Sequence, residues 1–203
     1  TVYTEHDFQA GPRINTITGV RWDKHSNYGG NLSPKFAIKY ELMPHTTLRA
    51  SYATGFRSPS LKELYTNWDH LGMFQIIGNA DLRPEKNRNI SLSATYNGNG
   101  FYVSANVFHN NIRNKLDLLW NDTNDTVYYN NVDRQKIKGA ELMLVVSPAR
   151  NLRLQAGYSF TDDGYKEGNK NFSPTRPHSA TFKAEQNMRL GKINTSLSLN
   201  GKF

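Results

Sequence analysis

The amino-acid sequence alternates between apolar and polar residues with a period of two through most of its length. In "NISLSATY" (89–96) every even position is Ile, Leu, Ala or Tyr, and every odd position is Asn, Ser or Thr. In "KFAIKYEL" (35–42) the even positions are apolar or aromatic, whereas both lysines and the glutamate have odd positions. Such alternation predicts β-strands with one apolar and one polar face. We expect about ten strands. The others are 2–9, 14–23, 47–55, 101–112, 136–146, 152–160, 178–188 and 193–200.

The composition leaves two environments open for these strands. Only 37% of the 203 residues are hydrophobic, and the mean hydropathy is −0.69. No apolar run approaches the ~18 residues that a transmembrane helix needs. A transmembrane β-barrel has a similarly polar composition, because its lipid-facing and lumen-facing residues alternate. A soluble β protein and an outer-membrane barrel therefore both fit the composition.

The connections between the predicted strands favour the barrel, because short and long connections alternate along the chain. An outer-membrane barrel has short periplasmic turns at one end and longer extracellular loops at the other. The short connections are 43–46, 97–100, 147–151 and 189–192, and the long polar ones are 24–31, 56–87, 113–126 and 163–177. The connection 56–87 is long enough to indicate either a functional loop or a disordered one.

The charges and the missing cysteines exclude several classes of function. Without cysteine the chain has no disulfide, no thiol catalysis and no cysteine metal site. The net charge of +8 permits an anionic partner. The basic residues are spread over the predicted strands, which argues against nucleic acid and predicts a basic lumen. No HExxH, GxSxG or GxxxxGK[ST] motif occurs, so we expect no enzyme.

Three phrases resemble those of the TonB-dependent outer-membrane receptors. They are "YATGFRSPSLKELY" (52–65), "GNADLRPEKN" (78–87) and "QKIKGAELML" (135–144). They follow one another in the order expected for that family, and period-two strands fill the intervals. The resemblance implies an all-β fold, an antiparallel transmembrane β-barrel of the 22-strand type. Residues 1–203 are then expected to be a middle portion of the barrel, with the plug domain and the remaining strands absent.

The resemblance also implies a function and partners. Such a receptor is expected to take up haem across the bacterial outer membrane by energy-coupled active transport, with haem as a transported ligand and not as a prosthetic group. The expected partners are the protein's own N-terminal plug domain, the TonB energy-coupling complex, haem or a haemoprotein, outer-membrane lipid and a surface haem-binding lipoprotein. The alternatives are a receptor for cobalamin or a ferric siderophore, a passive channel, and a soluble β protein that binds a ligand on its long loop.

The resemblance further implies a site in the long connection. Haem receptors of this family have a histidine between phrases that correspond here to "FRSP" and "NADL", and His70 lies between these two phrases. His70 is therefore a candidate axial ligand of haem iron, a role that imidazole often has. Met73 is a candidate soft ligand, and Trp68 offers an aromatic face for a porphyrin. The alternative for His70 is a solvated loop histidine. The remaining histidines are expected to be solvated or structural; they are His6, His25, His45, His109 and His178.

Overall fold

The computed structural model describes residues 1–123, 125–164, 176–190 and 193–203. Within them, ten strands form one antiparallel path in the order β1-β2-β3-β4-β7-β8-β9-β10-β11-β12, and two short strands, β5 and β6, lie off it. The strands are β1 Val2–Gln9, β2 Ile14–His25, β3 Gly29–Met43, β4 Thr46–Arg57, β5 Asn67–His70, β6 Phe74–Ile77, β7 Glu85–Gly98, β8 Phe101–Trp120, β9 Thr126–Ala149, β10 Leu152–Asp162, β11 His178–Leu190 and β12 Ile193–Lys202. One helix, α1, spans Leu61–Tyr65. The ten strands expected from the sequence correspond to the ten strands of this path, whereas β5 and β6 were not expected.

The strands run further toward the long-connection end than the sequence pattern predicts. Most of the predicted loop 113–126 is paired hairpin, because β8 continues to Trp120 and β9 begins at Thr126. The predicted loop 24–31 is a tight turn between His25 and Gly29. These two predictions are wrong because a backbone ladder needs no apolar stripe once it leaves a membrane. The connection 163–177 lies largely outside the described residues.

The two faces of the sheet have different surroundings. Apolar side chains of one face stand half exposed, as shown by Leu92 at 55% and Val107 at 51%. These two residues are register partners on β7 and β8. The opposite face carries polar contacts, including one between Asn106 and Glu141, in which the amide donates at 3.1 Å. An exposed apolar face is what a lipid-facing surface requires, and the polar face is then lumenal.

Several basic residues of the lumenal face pair with carboxylates within the sheet. Lys39 lies 2.8 Å from Glu41, and Lys35 pairs with Glu5 on β1. Over the described residues, no helix is long and apolar enough to span a bilayer. The basic lumen expected from the sequence is therefore neutralised in part, whereas among the described residues lumenal Arg49 reaches only the Thr95 hydroxyl, at 3.5 Å.

The assignment of faces predicts opposite outcomes for two adjacent residues. Val107→Lys places an ammonium group in lipid and should destabilise the full-length protein by about 2–4 kcal/mol. Asn106→Lys is the matched control, because its charge enters the lumen beside Glu141 and should have little effect. Denaturant unfolding in lipid vesicles measures both. Equal destabilisation by the two variants would contradict the assignment.

Candidate ligand-binding segment between β4 and β7

Residues 58–84, the mouth segment, fold into regular structure between β4 and β7. Of the two possibilities for the connection 56–87, a disordered loop does not fit, since the segment contains α1 and the β5–β6 hairpin. β6 also pairs in parallel with β9, from Gln75 opposite Thr126 to Ile77 opposite Tyr128. This ladder satisfies backbone groups of the segment, and it attaches the hairpin to the upper part of β9.

A capping box begins α1 and connects it to the barrel strands. The Glu63 backbone N–H donates to Ser60 Oγ at 3.3 Å, and the Ser60 N–H donates to Glu63 Oε2 at 2.7 Å. The Arg57 guanidinium reaches Glu63 at 2.8 Å and Glu85 at 2.6 Å. Partial burial pushes the pKa of Glu63 upward, but the hydrogen bonds from Ser60 and Arg57 outweigh it and hold that pKa below its ordinary value.

Asn131 on β9 fastens the far end of the mouth segment. Its Oδ1 accepts the Arg83 backbone N–H at 2.7 Å. Its Nδ2 donates to the backbone carbonyls of Arg83 at 2.9 Å and Asn114 at 2.8 Å. Beside it, Glu85 Oε1 accepts the Leu116 N–H at 2.6 Å. One amide side chain therefore holds three stretches of backbone together.

A small apolar core lies beneath these polar contacts. Leu64 of α1, Leu82 and Leu116 of β8 are 9%, 2% and 7% exposed, and Tyr129 packs against them. Gly78 lies so close to the end of α1 that a Cβ there would come within 2.7 Å of its backbone. The mouth segment is thus packed against the inner face of the β8–β9 hairpin.

Four aromatic rings meet where the β5–β6 hairpin contacts β8; we call Trp68, His70, Phe74 and Trp120 the aromatic cluster. The His70 ring is 4.9 Å from Trp68 and 4.9 Å from Phe74, between centroids, and Phe74 is 5.3 Å from Trp120. The Nδ1 atom of His70 is buried and has no hydrogen-bond partner among the described atoms. Packing between rings, and not a hydrogen bond at Nδ1, therefore orients this imidazole.

The structure brings two of the three candidate residues together and leaves the third at the hairpin tip. Trp68, 51% exposed, contacts His70, whereas the Met73 side chain is 64% exposed. Met73 follows a turn in which Leu71 and Gly72 have φ of 54° and 73°. Among the described residues, no group of three or more His, Cys, Asp or Glu could hold a metal ion. The ligand roles of these residues stay predictions.

Sequence reasoning missed the residues that support this site. The capping box was readable from "SLKE" (60–63), which has Ser and Glu three residues apart. Asn131 and Trp120 gave no local signal, because their partners are remote in sequence. Their roles come only from the docking of the mouth segment.

Comparison with known proteins decides the family of the chain. A family model described as "TonB dependent receptor-like, beta-barrel" matches residues 1–202. The chain belongs to this family. The TonB-dependent receptor barrels are outer-membrane proteins of receptor type, so the expected family, fold class and location are confirmed.

Relatives of this receptor barrel include proteins named for regulation by iron or for hemoglobin binding. It is 30% identical over 182 residues to an iron-regulated outer membrane virulence protein of Vibrio cholerae, covering 82% of this chain and 28% of that protein. It is 31% identical over 162 residues to a probable hemoglobin and hemoglobin-haptoglobin-binding protein 4 of Haemophilus influenzae, covering 71% and 14%. The chain thus spans about a quarter or less of the length of these relatives.

Solved structures share the fold of this receptor barrel. The siderophore receptor PirA from Pseudomonas aeruginosa superposes with a TM-score of 0.73 at 20% identity, covering 99% of this chain and 39% of that one. The ferric enterobactin receptor PfeA of the same organism, as the R480A mutant, gives 0.72 at 22% identity, covering 91% and 30%. At such identities the likeness shows the fold alone.

Removing the Asn131 side chain should loosen the mouth segment. Asn131→Ala removes the partner of the Arg83 N–H and of two carbonyls, and each lost hydrogen bond should cost about 0.5–1.5 kcal/mol. Hydrogen exchange of the amides at 78–84 and 114–116 should accelerate accordingly. Asn130→Ala is the control, because its side chain makes one hydrogen bond within the described part of the chain, in which it accepts the neighbouring Asn131 N–H. Unchanged exchange in Asn131→Ala would show that the core alone holds the segment.

Acid should release the start of α1. The lowered pKa of Glu63 means that its carboxylate stabilises the fold fully above the ordinary glutamate pKa, and that this contribution is lost as the pH falls through the lowered value. We expect exchange at 60–66, corrected for intrinsic rates, to rise in that acidic window. Glu63→Gln should already show raised exchange at neutral pH, with little further acid dependence. Retention of the wild-type acid response in this variant would assign the response to another group.

Proposed function

We propose that the receptor containing this chain takes up an iron compound across the outer membrane, and that haem is this compound. The proposal extends to the partners of the whole protein: its plug domain, the TonB energy-coupling complex, a haem or haemoprotein donor, and a surface haem-binding lipoprotein. Support comes from the family and from the Haemophilus influenzae relatives, whose names state hemoglobin binding. The choice of haem as the iron compound rests, in addition, on residues of this chain.

The aromatic cluster around His70 is the observation that carries the choice of haem. A porphyrin is a flat apolar ring system, and it stacks favourably on Trp and Phe side chains. Imidazole is a common axial ligand of haem iron. His70 supplies an imidazole within an aromatic surface. Its ring packs between Trp68 and Phe74, and its buried Nδ1 has no hydrogen-bond partner among the described atoms.

The anchoring of the mouth segment suits a binding role. Metal-ligating histidines are usually oriented by a hydrogen bond at the second nitrogen. In His70 the neighbouring rings do this instead, and the β6–β9 ladder holds the hairpin that carries them. Trp68 and Met73 stand exposed beside His70, where an arriving ligand would meet them first. Because Nδ1 is buried in the cluster, an axial bond from this atom to iron would require the neighbouring rings to move apart.

A ferric siderophore is the second candidate. The chain is 27% identical over 129 residues to a ferric enterobactin receptor of Pseudomonas aeruginosa, covering 58% of this chain and 17% of that protein. Aromatic catecholate groups would also stack on Trp68. A siderophore surrounds its iron with its own oxygen atoms, so its binding would not require the His70 nitrogen.

Hemin titration of the full-length receptor tests the proposal. Hemin should shift the Soret band on binding, and His70→Ala should abolish the axial-ligand signature and weaken binding about tenfold or more. His25→Ala is the matched control, since His25 lies at the β2–β3 turn, and it should bind as the wild type does. Met73→Ala should have a smaller effect than His70→Ala.

Two outcomes would each contradict one part of the proposal, the first the role of His70 and the second the choice of haem. A full Soret shift in His70→Ala would remove that residue from the site. Absence of any shift in the wild type, together with quenching of tryptophan fluorescence by ferric enterobactin, would favour the siderophore. Competition between the two ligands in the same fluorescence assay separates these cases.

A further inference from the structure

Six basic residues form a block on the outward face of β7, β8 and β9; we call them the cationic patch. The first register row beyond the apolar face contains Ile90, His109 and Lys138, the next Arg88, Asn111 and Lys136, and the third Lys86, Arg113 and Arg134. Neighbouring strands are about 5 Å apart and alternate residues ~7 Å apart. The patch therefore fits within roughly 10 by 14 Å.

The patch faces outward and borders the lipid-facing surface. It continues the same alternate positions as Leu92 and Val107, which are half exposed on the apolar face. All six basic side chains are exposed. Because they lie beyond this face toward the long connections, they are at the level of the extracellular membrane surface.

A groove runs from the patch across β4 to β3 at the level of the patch rows. It has a volume of about 310 Å³, and its lining includes Leu32 and Tyr52 at one end and Lys86, Arg88 and Arg113 at the other. Leu32 is 60% exposed and Tyr52 is 37% exposed. The lining of the groove thus contains both apolar and cationic side chains.

In the described part of the chain, most cations of the patch have no carboxylate partner, unlike several cations of the lumenal face. Lumenal Lys35, Lys39 and Arg57 each have a carboxylate partner. In the patch, Lys138 pairs with Asp162 at 3.3 Å. Within the described ranges, the other five have no ion-pair partner.

The register makes this arrangement unfavourable without an anion. Lys86, Arg113 and Arg134 are directly opposite one another on three strands, and like charges in such positions repel. Asp133 is an acidic residue beside this row, where it lines a hollow with Lys86, Arg113 and Arg134. One carboxylate leaves the row with a net positive charge, which a bound anion would offset.

We propose that the cationic patch binds the phosphate groups of an anionic lipid in the outer leaflet, with the acyl chains lying on the apolar surface below. Arg and Lys are well suited to phosphate oxygens through charge-assisted hydrogen bonds. The surroundings of the patch favour a lipid over a free phosphate, because Leu92 and Val107 continue the same outward face directly below it as exposed apolar surface. This site is separate from the aromatic cluster and does not depend on the transported substrate.

Retention of lipid by the purified full-length receptor tests the site. Diphosphorylated lipid A is added to the receptor in mild detergent, and native mass spectrometry counts the molecules that stay bound. The variant R88Q/R113Q/K136Q removes three charges of the patch, and R13Q/K62Q/R150Q removes three exposed charges elsewhere. We expect the patch variant to lose about tenfold or more in retention, while the control resembles the wild type.

Additional measurements test the site even if the triple variant does not fold. If the triple variant does not fold, R113Q alone should give a smaller loss, and wild-type retention should fall with added salt, because exposed charges are screened. Fully dephosphorylated lipid should not be retained. Equal retention by the patch variant, equal loss in the control, or equal binding of dephosphorylated lipid would overturn the proposal. Displacement of lipid A by excess inorganic phosphate would identify a site for a free anion instead.

Discussion

Backbone hydrogen bonding in lipid is the constraint from which the rest of this structure follows. An unpaired N–H or C=O in the hydrocarbon costs several kcal/mol. The antiparallel ladder from β1 to β12 pairs these groups between neighbouring strands, with register shifts only near the turns, at Glu41/Met43 and Leu152/Leu154, among the described pairs. Once the register is set, every residue has a fixed face, since a slip by one residue would exchange lipid-facing and lumenal side chains. Leu92 and Asn106 owe their different surroundings to this rule.

The fold could be predicted from the sequence wherever the membrane imposes its pattern. The alternation in 89–96 indicates β7 because each even residue must be apolar to contact lipid. The pattern fails above the membrane, where β8 and β9 continue through polar residues such as Asn130 and Asn131. There the strands need only backbone hydrogen bonds, and these do not require apolar and polar residues to alternate. The ends of these strands could therefore not be predicted.

The candidate site was predictable only in its local part. His70 and Trp68 lie close together because they are two residues apart on β5. Trp120 contacts Phe74 of the cluster, and Asn131 fastens the mouth segment at Arg83. Both contacts arise from docking of the segment on the β8–β9 hairpin, and no short sequence motif predicts that docking. The cationic patch was hidden for a similar reason. Its residues are spread over three strands, and they form a block only when the register aligns them.

The parallel pairing of β6 with β9 means that the mouth segment and the β8–β9 hairpin are one mechanical unit. The mouth segment and the loop between β8 and β9 are far apart along the chain, but a change of length in one would disturb the position of the other. An insertion near Thr126 would displace the hairpin that carries His70, even though it changes no residue of the aromatic cluster. Exchange of binding specificity between related receptors would accordingly require both loops to be transplanted together.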